Sequence, residues 1–140
     1  MDKNLDNDIM LQVLDSLNKQ VGKRYVFGAE VKKDDSNPQS FDCSELVEWI
    51  YELLGRKIPD GAANQYEVSK PINEMQLEPF DLGFLLNPFN GKINHVVIWL
   101  GDANGNIVHA KGEAHGIIKE SGLMWSKRNK DSFAGWRRFL

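Results

Sequence analysis

The hydrophobic period changes halfway along this 140-residue chain, and that change limits what it can fold into. Ile9, Met10, Val13, Leu14 and Leu17 recur at helical spacing. They predict an amphipathic helix over about 8–20, with Gly22 as its stop. Leu46, Val47, Ile50, Leu53 and Leu54 predict a second helix over about 43–54, ending at Gly55. A short third helix is expected over 62–69. From Phe80 onward the pattern is that of strands. Phe80 to Leu86 reads as a strand closed by Asn87-Pro88. His95 to Leu100 is a near-continuous β-branched and aromatic run, the mark of a buried strand. A turn over 102–106 returns the chain through Ile107 to Ala110, which predicts a hairpin. Strands over 116–120 and 136–140 would complete the sheet. Helices first and strands second define an α+β fold, with N-terminal helices packed on an antiparallel sheet over about 80–140.

The length suits one domain with a core of its own. Hydrophobic residues make up 41% and charged residues 26%, as in ordinary globular proteins. A net charge of −3 with no basic stripe argues against a nucleic-acid partner. The short cluster Lys127-Arg128-Asn129-Lys130 reads as a solvated turn. No apolar run reaches membrane-spanning length, and the acidic, polar start of the chain lacks a secretory h-region. The expectation is a protein made in the cytoplasm without membrane insertion.

Cys43 is the only cysteine, which excludes an internal disulfide and a thiolate-rich zinc site. It falls in Phe41-Asp42-Cys43-Ser44-Glu45, in the first turn of the second predicted helix. There it meets unpaired N–H groups and the positive end of the helix dipole, both of which favour thiolate. His95 and His109 lie on the two strands of the predicted hairpin, and facing positions on such strands are about 5 Å apart. His109 can therefore hold one ring nitrogen of His95 and leave the other for the thiol. That is a Cys-His-His relay, with a nucleophile, a base and a group that orients the base. Taken singly, these residues also fit blander roles: a buried small hydrophobe for Cys43, strand-end structure for the histidines, and a plain helix N-cap for Asp42. His115 reads as surface. No His-x-x-x-His helix pair is present, so no metal site is expected, and the relay needs no metal or cofactor.

Several segments, in order, resemble the NlpC/P60 family of cysteine peptidases. Tyr25-Val26-Phe27-Gly28-Ala29 and Asp42-Cys43-Ser44 are similar to the family's Tyr-x-Trp/Tyr-Gly-Gly and Asp-Cys-Ser-Gly. Leu77 to Phe84 is similar to its Leu-x-Pro-Gly-Asp-Leu-Val-Phe strand. Asn94 to Gly101 is similar to His-Val-Gly-Ile-Tyr-Leu-Gly, and Ile107-Val108-His109-Ala110 to Ile-His-Ala. Gln65 matches a recurrent glutamine ahead of the sheet. The resemblance implies a papain-like α+β fold and hydrolysis of an amide in bacterial cell-wall peptides, typically beside a D-γ-glutamyl residue joined to diaminopimelate or lysine. It implies Cys43 as nucleophile, His95 as general base and His109 as the residue orienting it. Tyr25 would help hold the oxyanion, and Asp42 and Ser44 would contact the substrate's amine end.

The chain departs from the family at Glu45 and Phe80 (both usually glycine), at Phe27 and Ala29, and at Asp60-Gly61, where Arg-Thr or Arg-Ser is common. The insert over 87–91 is longer than in many members. These positions bear on substrate preference. Without a visible signal or wall-binding repeat, the resemblance points to a phage-associated lysin, part of a longer tail protein, or a wall-peptide recycling enzyme. The partner implied is peptidoglycan or a muropeptide. The scissile bond and the oligomeric state stay open. So do acyl transfer on the same fold and a non-catalytic wall-binding or virion module.

Overall fold

The structure is a computed structural model that describes residues 6–26, 38 and 40–140. Helix α1 (Asn7–Asn18) begins where the Asp6 carboxylate accepts from the Asp8 N–H, and it buries Met10, Val13 and Leu17. Strands β1 (Arg24–Tyr25) and β2 (Ser40–Phe41) form a short parallel pair. The expected segment at Phe27, Gly28 and Ala29, and most of the loop before Ser40, lie outside the described residues. Helix α2 (Cys43–Leu53) follows, then α3 (Ala62–Val68). The remaining elements are β3 (Lys70–Ile72), a 3₁₀ turn (Glu74–Gln76), β4 (Leu82–Leu86), β5 (Ile93–Trp99), β6 (Asn106–Gly112), β7 (Gly116–Ser121), α4 (Gly122–Arg128) and β8 (Phe133–Arg138).

Six strands form one antiparallel sheet in the order β3-β8-β4-β5-β6-β7. The α+β expectation therefore holds, with two additions and one shifted boundary. Strand β3 extends the sheet beyond the predicted start at residue 80. Helix α4 stands where the Lys127–Lys130 cluster reads as a turn. Its start is capped by the Ser121 hydroxyl, which accepts from the Met124 N–H at 3.3 Å, and Lys127 and Arg128 fall in its last turn. Cations at that end suit the helix dipole. The strand expected to begin at Phe80 starts two residues later, because Phe80 adopts a left-handed conformation (φ 73°) in a turn. Its carbonyl accepts from the buried Tyr51 hydroxyl at 2.7 Å, which anchors the turn to α2.

Alternation along the strands separates two apolar layers. Val96, Ile98, Val108 and Ala110 face the side packed by α1 and α2 with Leu17, Leu46, Val47 and Ile50. Val97 and Ile107 face the other side, against Trp125 of α4 and Trp136 of β8. Asp81 closes one end of the sheet by accepting two hydrogen bonds from the Arg138 guanidinium, at 2.9 and 2.8 Å. Such a two-point carboxylate pair fixes geometry as well as charge.

Two local features place the segment before β1. The Ile117 N–H donates to the Lys23 carbonyl at 2.9 Å, and the Gly22 N–H to the Ile117 carbonyl at 2.8 Å. Gly116 (φ 67°) makes this approach possible, since a side chain there would collide with the Lys23 carbonyl. The Tyr25↔Phe41 pairing then carries Tyr25 to the start of α2.

Candidate active site

Asp42 caps α2: its Oδ1 accepts from the Glu45 N–H at 2.8 Å and, at 3.3 Å, from the Ser44 hydroxyl. Cys43 is thus the first helical residue. Ser44 is only 8% exposed, and its carbonyl accepts from the Gln65 side-chain amide at 3.1 Å. The same amide donates to the Pro59 carbonyl at 3.1 Å, so Gln65, itself wholly buried, ties α3 to the first turn of α2. The recurrent glutamine therefore holds the backbone that carries the thiol.

The β5–β6 ladder covers only Ile98↔Val108 and Trp99↔Ile107. Ahead of it, β5 pairs with β4 alone, and the Val96 N–H is directed at the Cys43 sulfur. The thiol therefore sits one residue along the strand from His95. Continuing the β5–β6 register sets His109 opposite Val97. His95 and His109 are diagonal neighbours on one face rather than the facing pair expected from the hairpin. Diagonal side chains on adjacent strands are about 7–8 Å apart at their backbones, within reach of two rings. His95 Nε2 and His109 Nδ1 are 2.7 Å apart. His95 Nδ1 is the ring nitrogen turned away from His109.

The chain of contacts does not stop at His109. Its Nε2 lies 2.8 Å from Glu120 Oε2 on β7, and Glu120 Oε1 accepts from Arg128 of α4 at 2.6 Å. The His109 ring is 2% exposed and packs edge-on against Trp125. Sequence reasoning missed Glu120 and Arg128. The available signal was alternation: Glu120 opposes Ile107 on β6, in the run read as Gly116–Glu120.

Tyr25 joins the two halves of the site. Burial first, then the nearby charges of Cys43, Asp42 and Glu113, raise its pKa. Its side chain also lines a cavity of about 360 Å³ together with His95, His109, Lys111, Trp125 and Arg128. His115, at the tip of the β6–β7 turn, is exposed and takes no part, as expected.

Charge states differ from the sequence expectation. The N–H groups of Val96, Ser44 and Cys43 do favour thiolate, but burial outweighs them and pushes the Cys43 thiol up to about 11. Burial, aided by His109 and Lys111, depresses His95 to about 3, against the opposing pull of Glu120. Burial likewise lowers His109, although its bond to Glu120 works the other way. Both shifts favour the uncharged forms of Cys43 and His95.

Two of the departures from the family pattern turn out to be one feature. Carboxylate oxygens of Glu45, Glu48 and Asp60 lie within 4.8 Å of one another. Three carboxylates this close repel one another unless a proton or a cation sits among them. Burial, then hydrogen bonds shared with Asp60 and Glu45, push Glu48 up to about 9. The unfolded chain loses this proton near 4.5 while the folded chain keeps it, so the cluster makes stability fall as pH rises between those values. Glu48→Gln should raise stability at pH 8 by about 1 kcal/mol after solvent screening of this half-buried group. The gain should grow with pH across that window in thermal melts. A gain that does not change with pH would disprove the shared proton.

Comparison with known proteins places the chain in a family. The NlpC/P60 family model matches residues 22–132, so the chain belongs to the NlpC/P60 family. It is 33% identical over 110 residues to the bifunctional muramidase/DL-endopeptidase CwlT of Bacillus subtilis, covering 77% of this chain and 29% of that protein. It is 30% identical over 109 residues to a probable endopeptidase p60 of Listeria grayi, covering 78% of this chain and 19% of that one. The chain thus spans under a third of either relative. The crystal structure of a Staphylococcus aureus NLP/P60-family protein, described as similar to lipoprotein, superposes with a TM-score of 0.71 at 28% identity. The match covers 100% of this chain and 45% of that one. No helix among the described residues is long and apolar enough to cross a membrane.

Proposed function

We propose that this protein hydrolyses an amide bond in peptidoglycan stem peptides, of the D-γ-glutamyl-diaminoacid type, with Cys43 as nucleophile. The observation that carries the reading is the order of groups across the site. The Val96 N–H next to His95 is directed at the Cys43 sulfur, the second imidazole sits 2.7 Å behind the His95 ring, and a cavity adjoins both rings. The names of the similar proteins, a DL-endopeptidase and a probable endopeptidase, agree with it.

Substrate binding brings the scissile carbonyl against the sulfur. The thiol proton passes to His95 Nδ1 as the S–C bond forms and the carbonyl becomes an oxyanion. The Cys43 N–H and the Tyr25 hydroxyl would donate to that oxygen. His95 then returns the proton to the leaving nitrogen as the C–N bond breaks. Water, giving its proton to His95, attacks the thioester; the thiolate departs and is reprotonated. A neutral resting pair requires proton transfer to accompany attack, which keeps the enzyme unreactive until a carbonyl is in place. Asp42 and Ser44 serve this site chiefly by setting the helix start, with the second Asp42 oxygen available to a substrate amine.

Lys111 and Arg128 bring positive charge to the cavity, and among the described residues no carboxylate lines it. That suits a peptide that keeps free carboxylates beside the cleaved bond, as a γ-linked glutamyl residue does. Mass spectrometry of purified peptidoglycan after incubation should show new fragments ending at D-glutamate. A digest with intact stem peptides would refute the reading, and an added amine captured as the main product would replace hydrolysis with acyl transfer.

A further inference from the structure

We propose that Glu120, clamped by Arg128, is a positioning residue that fixes the tautomers of both histidines and so makes His95 Nδ1 the base. Its kinetic consequence rests on the hydrolase reading; its structural content does not.

Glu120 carries two oxygens with separate partners: Oε1 accepts from Arg128 and Oε2 meets His109 Nε2. An ionised carboxylate only accepts, so His109 must present Nε2–H to it. His109 Nδ1 is then a bare lone pair. His95 Nε2, 2.7 Å away, must supply the proton between the two rings. That leaves His95 Nδ1 without a proton, on the ring nitrogen that faces away from His109. Each tautomer is dictated by the hydrogen bond made at the other ring nitrogen. Without Glu120, the two rings alone would not choose between this arrangement and its reverse, in which His95 Nδ1 carries a proton and cannot accept one.

Arg128 explains why Glu120 stays ionised. Burial works to raise the Glu120 pKa, but the bonds from Arg128 and His109 outweigh it and hold the group below its ordinary value. The charged and titratable groups around the histidine pair are Cys43 from α2, Tyr25 from β1, Lys111 from β6, Glu120 from β7 and Arg128 from α4. Among the described residues that face it, Glu120 alone carries negative charge onto the pair near neutral pH. It therefore also stabilises the imidazolium that forms during attack.

The test uses the whole chain and the variants Glu120→Ala and Glu120→Gln. Nitrogen-15 NMR of the histidine rings in the resting protein should show both as Nε2–H tautomers, and a mixture in Glu120→Ala. Kinetics on muropeptides should show kcat falling by about 10- to 100-fold with KM within about twofold, as for other groups that orient a histidine from behind. The acid limb of kcat/KM should move to lower pH, because removing a negative charge makes the rings harder to protonate. Glu120→Gln, nearly the same shape and still able to accept from His109, should lose less kcat yet show the same shift of the limb. Single Nε2–H tautomers that persist in Glu120→Ala, or an unmoved acid limb in Glu120→Gln, would overturn the proposal. The NMR result stands whether or not muropeptides are cleaved, so a failure of the hydrolase reading is seen separately, as an inactive wild-type protein with correctly set rings.

Discussion

Cys43→Ala should lower peptidoglycan hydrolysis by about 10⁴-fold or more while leaving the fold in place. The activity loss follows from the order of groups: with no sulfur there is no covalent intermediate, and His95 has no proton to take. What remains is whatever the oxyanion donors and substrate positioning supply alone. The structural cost is small for a physical reason. Cys43 is half-buried at the first helical position, and the cap that starts α2 belongs to Asp42, not to the thiol. Losing one sulfur from the edge of the core costs on the order of 1 kcal/mol. Circular dichroism and the melting temperature should therefore stay close to wild type. Hydrolysis within about tenfold of wild type by a well-folded Cys43→Ala would end the assignment. Cys43→Ser separates shape from chemistry: the hydroxyl fills the site but does not give up its proton to a neutral imidazole as readily, so it should be nearly as inactive.

Much of this arrangement was legible in the chain, and the limits have identifiable causes. The helix carrying Cys43 could be read to within a residue because its apolar stripe and its Asp42 cap agree with its Gly55 stop. The His95 strand was equally clear, since a run such as Val96-Val97-Ile98-Trp99 has little else to be. Helix α4 was not legible. It is seven residues long, begins with a glycine, and carries its apolar Trp125 among Ser126, Lys127 and Arg128. Its place is set by contact with Trp136 and His109, not by local preference. The same tertiary origin hides Glu120 and Arg128, eight residues apart and joined only once α4 folds back on β7. The histidine pair shows a subtler limit. The hairpin could be predicted from its turn, but not its register, so facing residues were expected where diagonal ones occur. The charge state also needed the fold: a helix N-terminus argues for thiolate in isolation, and only burial against the sheet reverses the sign.

That reversal gives the second large effect, in the pH dependence of His95→Gln. The proposed mechanism requires the base form of His95, and burial keeps it unprotonated well below the usual imidazole value. The wild-type rate should accordingly hold through mild acid, with its acid limb displaced well below the ordinary 6.5 toward the depressed His95 value of about 3. The same shift costs stability in acid. Between 6.5 and about 3 the unfolded chain binds a proton that the buried ring refuses, so stability drops as pH falls through that window. Rates must therefore be read where circular dichroism shows the fold intact. In His95→Gln the base is gone, and kcat/KM at pH 7 should fall by about 10³-fold. The residual rate should then depend on the thiolate formed by ionisation alone. Because the Cys43 thiol is pushed up to about 11, that fraction climbs roughly tenfold per pH unit through the neutral and mildly alkaline range. The profile should change shape, from a plateau with an acid limb to a steady rise with pH. A His95→Gln profile that keeps the wild-type acid limb would mean that another group takes the thiol proton, and the relay from Cys43 through His95 to His109 would have to be abandoned.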